Sequence, residues 1–202
     1  DKALAMLKDY IDCGVDGFRF DAAKQIETPD DHSSFASDFW PTVIGGAEDY
    51  AATLGRKVYF YGELLQETDN YGSLPITAYT KYMSVTESVW SNDVRYKLEA
   101  HNASGLQTSY FKEANADKLV LWAESHDTVG DGSSIYSSDY TIAKAWSLVA
   151  SRAYTMSLYF PRPNSMVNLA EDAKNELPAL DKLEIADKWV LSKLNSLIGE
   201  VT

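Results

Sequence analysis

The sequence predicts an α/β fold built on a parallel sheet. Two observations carry this. Helical and strand-like patterns alternate along the chain, and three acids, Asp21, Glu63 and Asp127, each follow a separate apolar strand at its C-terminal end. Residues 1–13 carry Leu4, Leu7 and Ile11 at spacings of three and four, which predicts an amphipathic helix stopped by Gly14. From Val15 to Asp21 the pattern changes to alternation, with Phe18 and Phe20 on one side and Arg19 and Asp21 on the other. Residues 32–55 read as mainly helical, closing at Gly55. Val58 to Tyr61 is a second strand, running into Gly62 and Glu63, and a third is expected around Tyr79–Val85. A helix rich in Lys, Glu and Ala follows at about 91–101, then a strand from Leu119 to Ala123 that leads to Ser125, His126 and Asp127. Residues 140–153 form a helix pattern, Met156 to Phe160 a last strand, and Trp189, Leu191, Leu194 and Leu197 a final helix. The polar stretch 161–182 reads as a long surface loop. No low-complexity linker or short repeat interrupts this order. Two architectures place strand-end acids at a ligand site: the (β/α) barrel, and the open doubly wound sheet with its crevice.

Bulk properties narrow the function. The chain has 202 residues, 45% of them hydrophobic, which suffices for one sizeable core. Its formal net charge of −12 argues against nucleic acid or anionic membrane as partner, because phosphates would meet no counter-charge. No apolar run approaches the roughly 20 residues of a membrane span. No signal-peptide pattern opens the chain, which begins inside a helical stretch. The single cysteine, Cys13, excludes an internal disulfide and a cysteine metal cluster, and its apolar neighbours predict a small core residue.

The three acids suit one chemistry in particular. Breaking a glycosidic bond takes two carboxyl groups in opposite protonation states, one to attack the sugar carbon and one to protonate the departing oxygen. Arg19 lies two residues from Asp21, on the same strand face, where a guanidinium favours an ionised carboxylate. That makes Asp21 the nucleophile candidate; a buried structural ion pair is the alternative reading. Glu63 follows Tyr59-Phe60-Tyr61-Gly62, a setting of aromatic bulk with little local positive charge, which suits acid/base work through partial desolvation. Taken singly, an acid after a strand is more often a helix cap or turn residue.

The motifs around these acids resemble a known family. Gly14-Val15-Asp16-Gly17-Phe18-Arg19-Phe20-Asp21-Ala22-Ala23-Lys24 resembles the nucleophile segment of the α-amylase family, glycoside hydrolase family 13. Tyr61-Gly62-Glu63-Leu64-Leu65-Gln66 resembles its acid/base segment, and Trp122-Ala123-Glu124-Ser125-His126-Asp127-Thr128 the segment bearing its third carboxylate. Tyr82-Met83-Ser84-Val85-Thr86, Ser151-Arg152-Ala153 and Phe160-Pro161-Arg162-Pro163 are similar to secreted saccharifying bacterial α-amylases. The resemblance covers nearly the whole chain and weakens after about residue 165.

It implies a retaining hydrolase that cleaves α-1,4-glucosidic bonds of starch or maltooligosaccharides outside the cell. Asp21 would be the nucleophile and Glu63 the acid/base, with Asp127 binding sugar hydroxyls. Arg19, Lys24, His126, Gln25 and Tyr61 would contact substrate or the carboxylates. It also implies a structural calcium ion, with the backbone carbonyl of Gln25 as one ligand. The family usually has His where this chain has Gln25, which removes an imidazole but not the carbonyl. The resemblance further places residues 1–202 on strands 4 to 8 of a (β/α)8 (TIM) barrel, as its C-terminal part. The N-terminal strands, the inserted small domain and the C-terminal β-sandwich would then be absent. On that reading the chain alone is expected to be poorly active, with exposed barrel edges that invite association with another chain. Two further functions stay open: a glucan transferase or α-glucosidase of the same family, and a non-catalytic carbohydrate-binding protein on the same scaffold.

The remaining residues have plainer readings. Trp146 and Trp189 sit at helical periodicity and are expected in the core. Tyr61 and Tyr82 are candidates for stacking on sugar. His32 and His101 are expected at the surface, and Gly130-Asp131-Gly132-Ser133-Ser134 as a flexible connector near the cleft.

Overall fold

The computed structural model describes residues 2–65, 76–106 and 116–160. The expected loop at 161–182 and the final helix around Trp189 lie outside the described residues. Six α-helices occur among those described: α1 (Lys2–Asp12), α2 (Phe39–Thr53), α3 (Ile76–Thr80), α4 (Ser88–Glu99), α5 (His126–Gly130) and α6 (Asp139–Ala150). Five strands alternate with them: β1 (Gly17–Phe20), β2 (Tyr59–Gly62), β3 (Ser84–Thr86), β4 (Leu119–Trp122) and β5 (Met156–Leu158). The strands form one sheet in sequential order, β1-β2-β3-β4-β5. The pairs β1–β2, β2–β3 and β3–β4 are parallel. A doubly wound sheet reverses its strand order at a switch point; this sheet does not. The fold is therefore α/β and part of a (β/α)8 barrel.

The described residues fall into two compact units. The first comprises residues 2–65, 76–90, 116–121 and 153–156; the second comprises 91–106, 122–152 and 157–160. In the first, α1 buries Leu7 and Ile11 on the stripe that the sequence predicts. Gly14 at φ 98 and Gly55 at φ 68 end α1 and α2 in the left-handed region, as the two predicted stops require. Gly46 on α2 lets α1 come close, since a Cβ there would lie 2.6 Å from Leu4 Cδ2. The apolar side of β1 is an aromatic stack. Phe18 and Phe20 lie 5.7 and 6.1 Å from Phe60, and Phe20 meets Trp40 edge-on at 5.1 Å. Trp40 is fully buried, and its indole N–H donates to the Ile26 carbonyl at 3.2 Å. This packing leaves the opposite face of β1, with Arg19, free for the site.

Three expectations are corrected. Residues 76–80 are a short helix, and the third strand is only Ser84–Thr86; apolar runs of this length do not tell the two apart. Residues 32–38 precede α2 instead of belonging to it. Cys13 is exposed, not in the core. It stands two residues past Ile11, which on helical spacing turns it away from the buried stripe.

Tyr79, on α3, is buried, and its hydroxyl faces the carbonyls of Lys24 and Ile26 at 3.4 and 3.5 Å. Burial first, then the charges of Asp31 and Glu27, push its pKa from 10.0 to about 12. A folded value above the unfolded one favours the protonated phenol. That stability is complete below about pH 10 and is lost as pH rises towards 12. Tyr79→Phe is expected to flatten the fall in stability across that window, read by denaturant midpoints at several alkaline pH values. An unchanged slope would contradict the assignment.

Candidate active site

Asp21 and Glu63 come together because β1 and β2 pair in parallel and in register. Arg19 lies opposite Tyr61, and Phe20 opposite Gly62. The next step past the ladder places Asp21 beside Glu63. The Glu63 N–H donates to the Phe20 carbonyl at 2.9 Å, and the Ala23 N–H to the Glu63 carbonyl at 3.0 Å. One guanidinium then serves both acids. Arg19 Nη1 lies 2.6 Å from Asp21 Oδ1, and Nη2 lies 2.9 Å from Glu63 Oε1. The other oxygen of Glu63, Oε2, accepts the Ala22 N–H at 3.0 Å.

This changes the reading of Glu63. Its aromatic setting is as expected: Tyr59 and Tyr61 stack at 6.1 Å beside it. The expected lack of positive charge is not found, because Arg19 touches the carboxylate directly. The two acids nevertheless differ in setting. The Glu63 side chain is 10% exposed, whereas that of Asp21 is 78% exposed. Burial pulls the Arg19 pKa down. The hydrogen bond to Asp21 and the charges of Glu63, Asp21 and Tyr61 outweigh that and raise it overall. The guanidinium is thus a permanent cation between two carboxylates. Burial likewise raises the Tyr61 phenol, with Arg19 lowering it and Glu63 adding to the rise, so Tyr61 stays a neutral hydroxyl near the pair.

Two backbone features hold this arrangement. Ala22 adopts φ 44 and ψ 44, the left-handed region that an alanine enters only at a cost. That turn aims its N–H at Glu63, which is a reason for strain at a functional position. Gly62 has no room for a side chain, since a Cβ would meet Met83 Sδ at 2.8 Å and Ala23 Cβ at 2.9 Å. Gly62→Ala is expected to overpack this spot and destabilise the fold by about 1–3 kcal/mol, read as a lower unfolding midpoint. A midpoint equal to the parent would contradict the close packing.

Lys24 is the middle residue of the 3₁₀ turn Ala23–Gln25, and its ammonium donates to the Leu65 carbonyl just past Glu63. Gln25, next in the same turn, is exposed. The structure thus gathers Arg19, Asp21, Lys24, Tyr61 and Glu63 at the ends of two adjacent strands. Among the described residues no group of three His, Cys, Asp or Glu side chains is placed to hold a metal ion.

The third predicted acid belongs to the second unit. Asp127 is not on a strand end but in the first turn of α5, past β4. A capping box starts that helix: Ser125 Oγ accepts the Thr128 N–H at 3.3 Å, and Thr128 Oγ1 accepts the Ser125 N–H at 3.0 Å. His126 and Asp127 are both half-exposed or more, with His126 Nε2 3.4 Å from Asp127 Oδ1. Within the same unit Arg95, on α4, is fully buried. Its Nη1 donates to the Ala123 carbonyl at 3.2 Å and its Nη2 to Asn92 Oδ1 at 3.0 Å, which ties the start of the motif to α4. Sequence reasoning missed Arg95, Ala22, and the buried acids Glu87 and Glu124. Glu124 follows an apolar strand, the same signal that pointed to Glu63, whereas Glu87 follows the short Ser84-Val85-Thr86 strand. For Arg95 on a polar helix there was no such signal.

Curated proteins are similar to this chain in sequence. An α-amylase of Clostridium acetobutylicum is 32% identical over 177 residues, covering 85% of this chain and 22% of that protein. An α-amylase of Butyrivibrio fibrisolvens is 33% identical over 184 residues, covering 79% and 18%. The chain is related to the α-amylases. A third α-amylase, from Thermomonospora curvata, is 29% identical over 129 residues, covering 63% of this chain and 19% of its own length. The chain spans about a fifth of the length of the curated α-amylases it matches. No family model matches it. Among solved structures, α-amylase I of Eisenia fetida aligns at a TM-score of 0.40 and 15% identity over 62% of this chain and 29% of that one.

Proposed function

We propose that this chain carries the nucleophile and the acid/base of a retaining glycoside hydrolase that cleaves α-1,4-glucans. The observation that carries the proposal is the single guanidinium of Arg19 shared by Asp21 and Glu63. Two carboxylates on one guanidinium are held close together. A retaining mechanism uses a separation of about 5–5.5 Å, whereas an inverting one leaves room for a water between its carboxyls.

In the first step Asp21 attacks the anomeric carbon as the bond to the leaving oxygen breaks. Arg19 occupies Oδ1, which leaves Oδ2 for the sugar. Glu63 delivers a proton to the departing oxygen. An ionised carboxylate has about four lone-pair sites, so Arg19 and the Ala22 N–H leave room on Glu63 for that proton. In the second step water attacks the same carbon, Glu63 takes its proton, and Asp21 is released. Asp127 and His126 would bind sugar hydroxyls, Lys24 the leaving-group side, and Tyr61 a sugar face. Gln25 would lie near the acceptor. The calcium ion implied by the resemblance would take one oxygen from the Gln25 carbonyl, since calcium binds six to eight oxygens; no step depends on it. An extracellular setting, where starch is met, belongs to the same proposal.

Digestion of soluble starch, followed by product analysis and NMR of the first anomer released, tests this reading. Oligosaccharides with new reducing ends in the α configuration are expected. Chains lengthened at constant reducing-end count would make the protein a glucan transferase. Binding without turnover is the result expected of a carbohydrate-binding protein, and equally of a chain that is poorly active alone.

A further inference from the structure

We propose that Thr86, assisted by Ser88, is a positioning residue for Glu63, acting through the peptide of Leu64. The inference rests on the reading of Glu63 as the acid/base. The β2–β3 ladder pairs Tyr61 with Ser84 and Gly62 with Val85, and no registered pair follows. Just beyond it, where the acid stands, side-chain hydroxyls take over from the backbone. The Leu64 N–H donates to Thr86 Oγ1 at 2.8 Å, and the Thr86 hydroxyl donates back to the Leu64 carbonyl at 3.1 Å. Ser88 Oγ donates to the same carbonyl at 2.9 Å. Leu64 is 3% exposed, Thr86 6% and Ser88 2%, so water is not at hand to replace these bonds. A buried peptide group left unpaired is costly.

The consequence concerns the direction of the Glu63 side chain. Its backbone is tied to β1 by bonds to the Phe20 carbonyl and the Ala23 N–H. Thr86 ties the next peptide to β3. Held from both neighbouring strands, the Glu63 Cα cannot swivel, and the carboxyl keeps its place between Arg19 and Ala22. Without the Thr86 hydroxyl the Leu64 peptide loses its partner on that side. A shift of about 1 Å in a catalytic group can cost up to ~10²-fold in rate.

Thr86→Val keeps the shape and removes both hydrogen bonds; Thr86→Ser keeps the hydroxyl. The test compares a maltooligosaccharide, whose leaving oxygen needs a proton, with an α-maltosyl fluoride, whose leaving group does not. For Thr86→Val, kcat/KM on the oligosaccharide is expected to fall by about tenfold or more, with kcat/KM on the fluoride, which reports the first step alone and needs no proton there, close to the parent. Thr86→Ser is expected to restore the oligosaccharide rate. Amide hydrogen exchange at Leu64, which needs no activity, should quicken in the Val variant and not in the Ser variant. If Thr86→Val fails to fold, Ser88→Ala carries the same comparison, with a smaller loss in the same direction. Equal losses on both substrates, a parental rate on the oligosaccharide, or unchanged Leu64 exchange would overturn the proposal. Glu63→Gln is the control. If it shows no selectivity between the two substrates, the acid/base assignment has failed; if it does and Thr86→Val does not, only the positioning role has failed.

Discussion

Glu63→Gln is expected to lower kcat on an α-1,4-glucan by about 10²–10⁴-fold, the usual contribution of a general acid/base, while substrate binding changes little. The amide keeps the size of the side chain and can still accept the Ala22 N–H, which lies 3.0 Å from Oε2. What it loses is a proton to give and take. Binding should survive because the sugar contacts proposed for Lys24 and Tyr61 are untouched. The fold should survive too: the change removes one partner of Arg19, but Asp21 still holds the guanidinium at 2.6 Å. Turnover within tenfold of the parent, in a protein that melts normally, would show that Glu63 is not the acid/base.

The second large effect is expected at Arg19. Arg19→Met removes the only cation described in contact with either carboxylate and leaves Asp21 and Glu63 facing each other. Activity should fall sharply, because the guanidinium that holds the two carboxylates in place is gone. Stability should fall by about 1.5–3 kcal/mol, the range for hydrogen bonds to charged groups. Exposure of Asp21 argues for the lower part of that range, since solvent screens its share. Arg19→Lys restores the charge but not the fork that reaches two acids at once, and should recover stability better than rate. Denaturant midpoints, together with kcat/KM, read both effects. A stable and active Arg19→Met protein would remove the bridge from the account.

Much of this site is legible in the sequence. Period-two alternation puts Arg19 and Asp21 on one face of β1 and Phe18 and Phe20 on the other, and the aromatic stack on Phe60 and Trp40 follows from it. Gly14 and Gly55 mark real stops. The second grip of Arg19, on Glu63, is not legible, because it depends on the cross-strand register, which alternation along one strand does not specify. The left-handed Ala22 is hidden for a related reason: a non-glycine residue enters that region only where the surroundings compel it. Residues 76–85 show the limit of short apolar runs, which serve a helix turn and a buried strand equally well. Asp127 shows a different limit. Its position after an apolar strand pointed to a strand-end acid, but Ser125 and Thr128 form a capping box that starts a helix at His126.

The central claim is that Asp21 attacks sugar while Arg19 holds it beside Glu63. A fluorinated maltosyl fluoride, whose covalent intermediate turns over slowly, tests this most directly when the trapped protein is digested and mapped by mass spectrometry. One added glycosyl group per chain is expected, on the peptide bearing Asp21, and none in Asp21→Asn. A label on any other residue, or a label that survives Asp21→Asn, would contradict it.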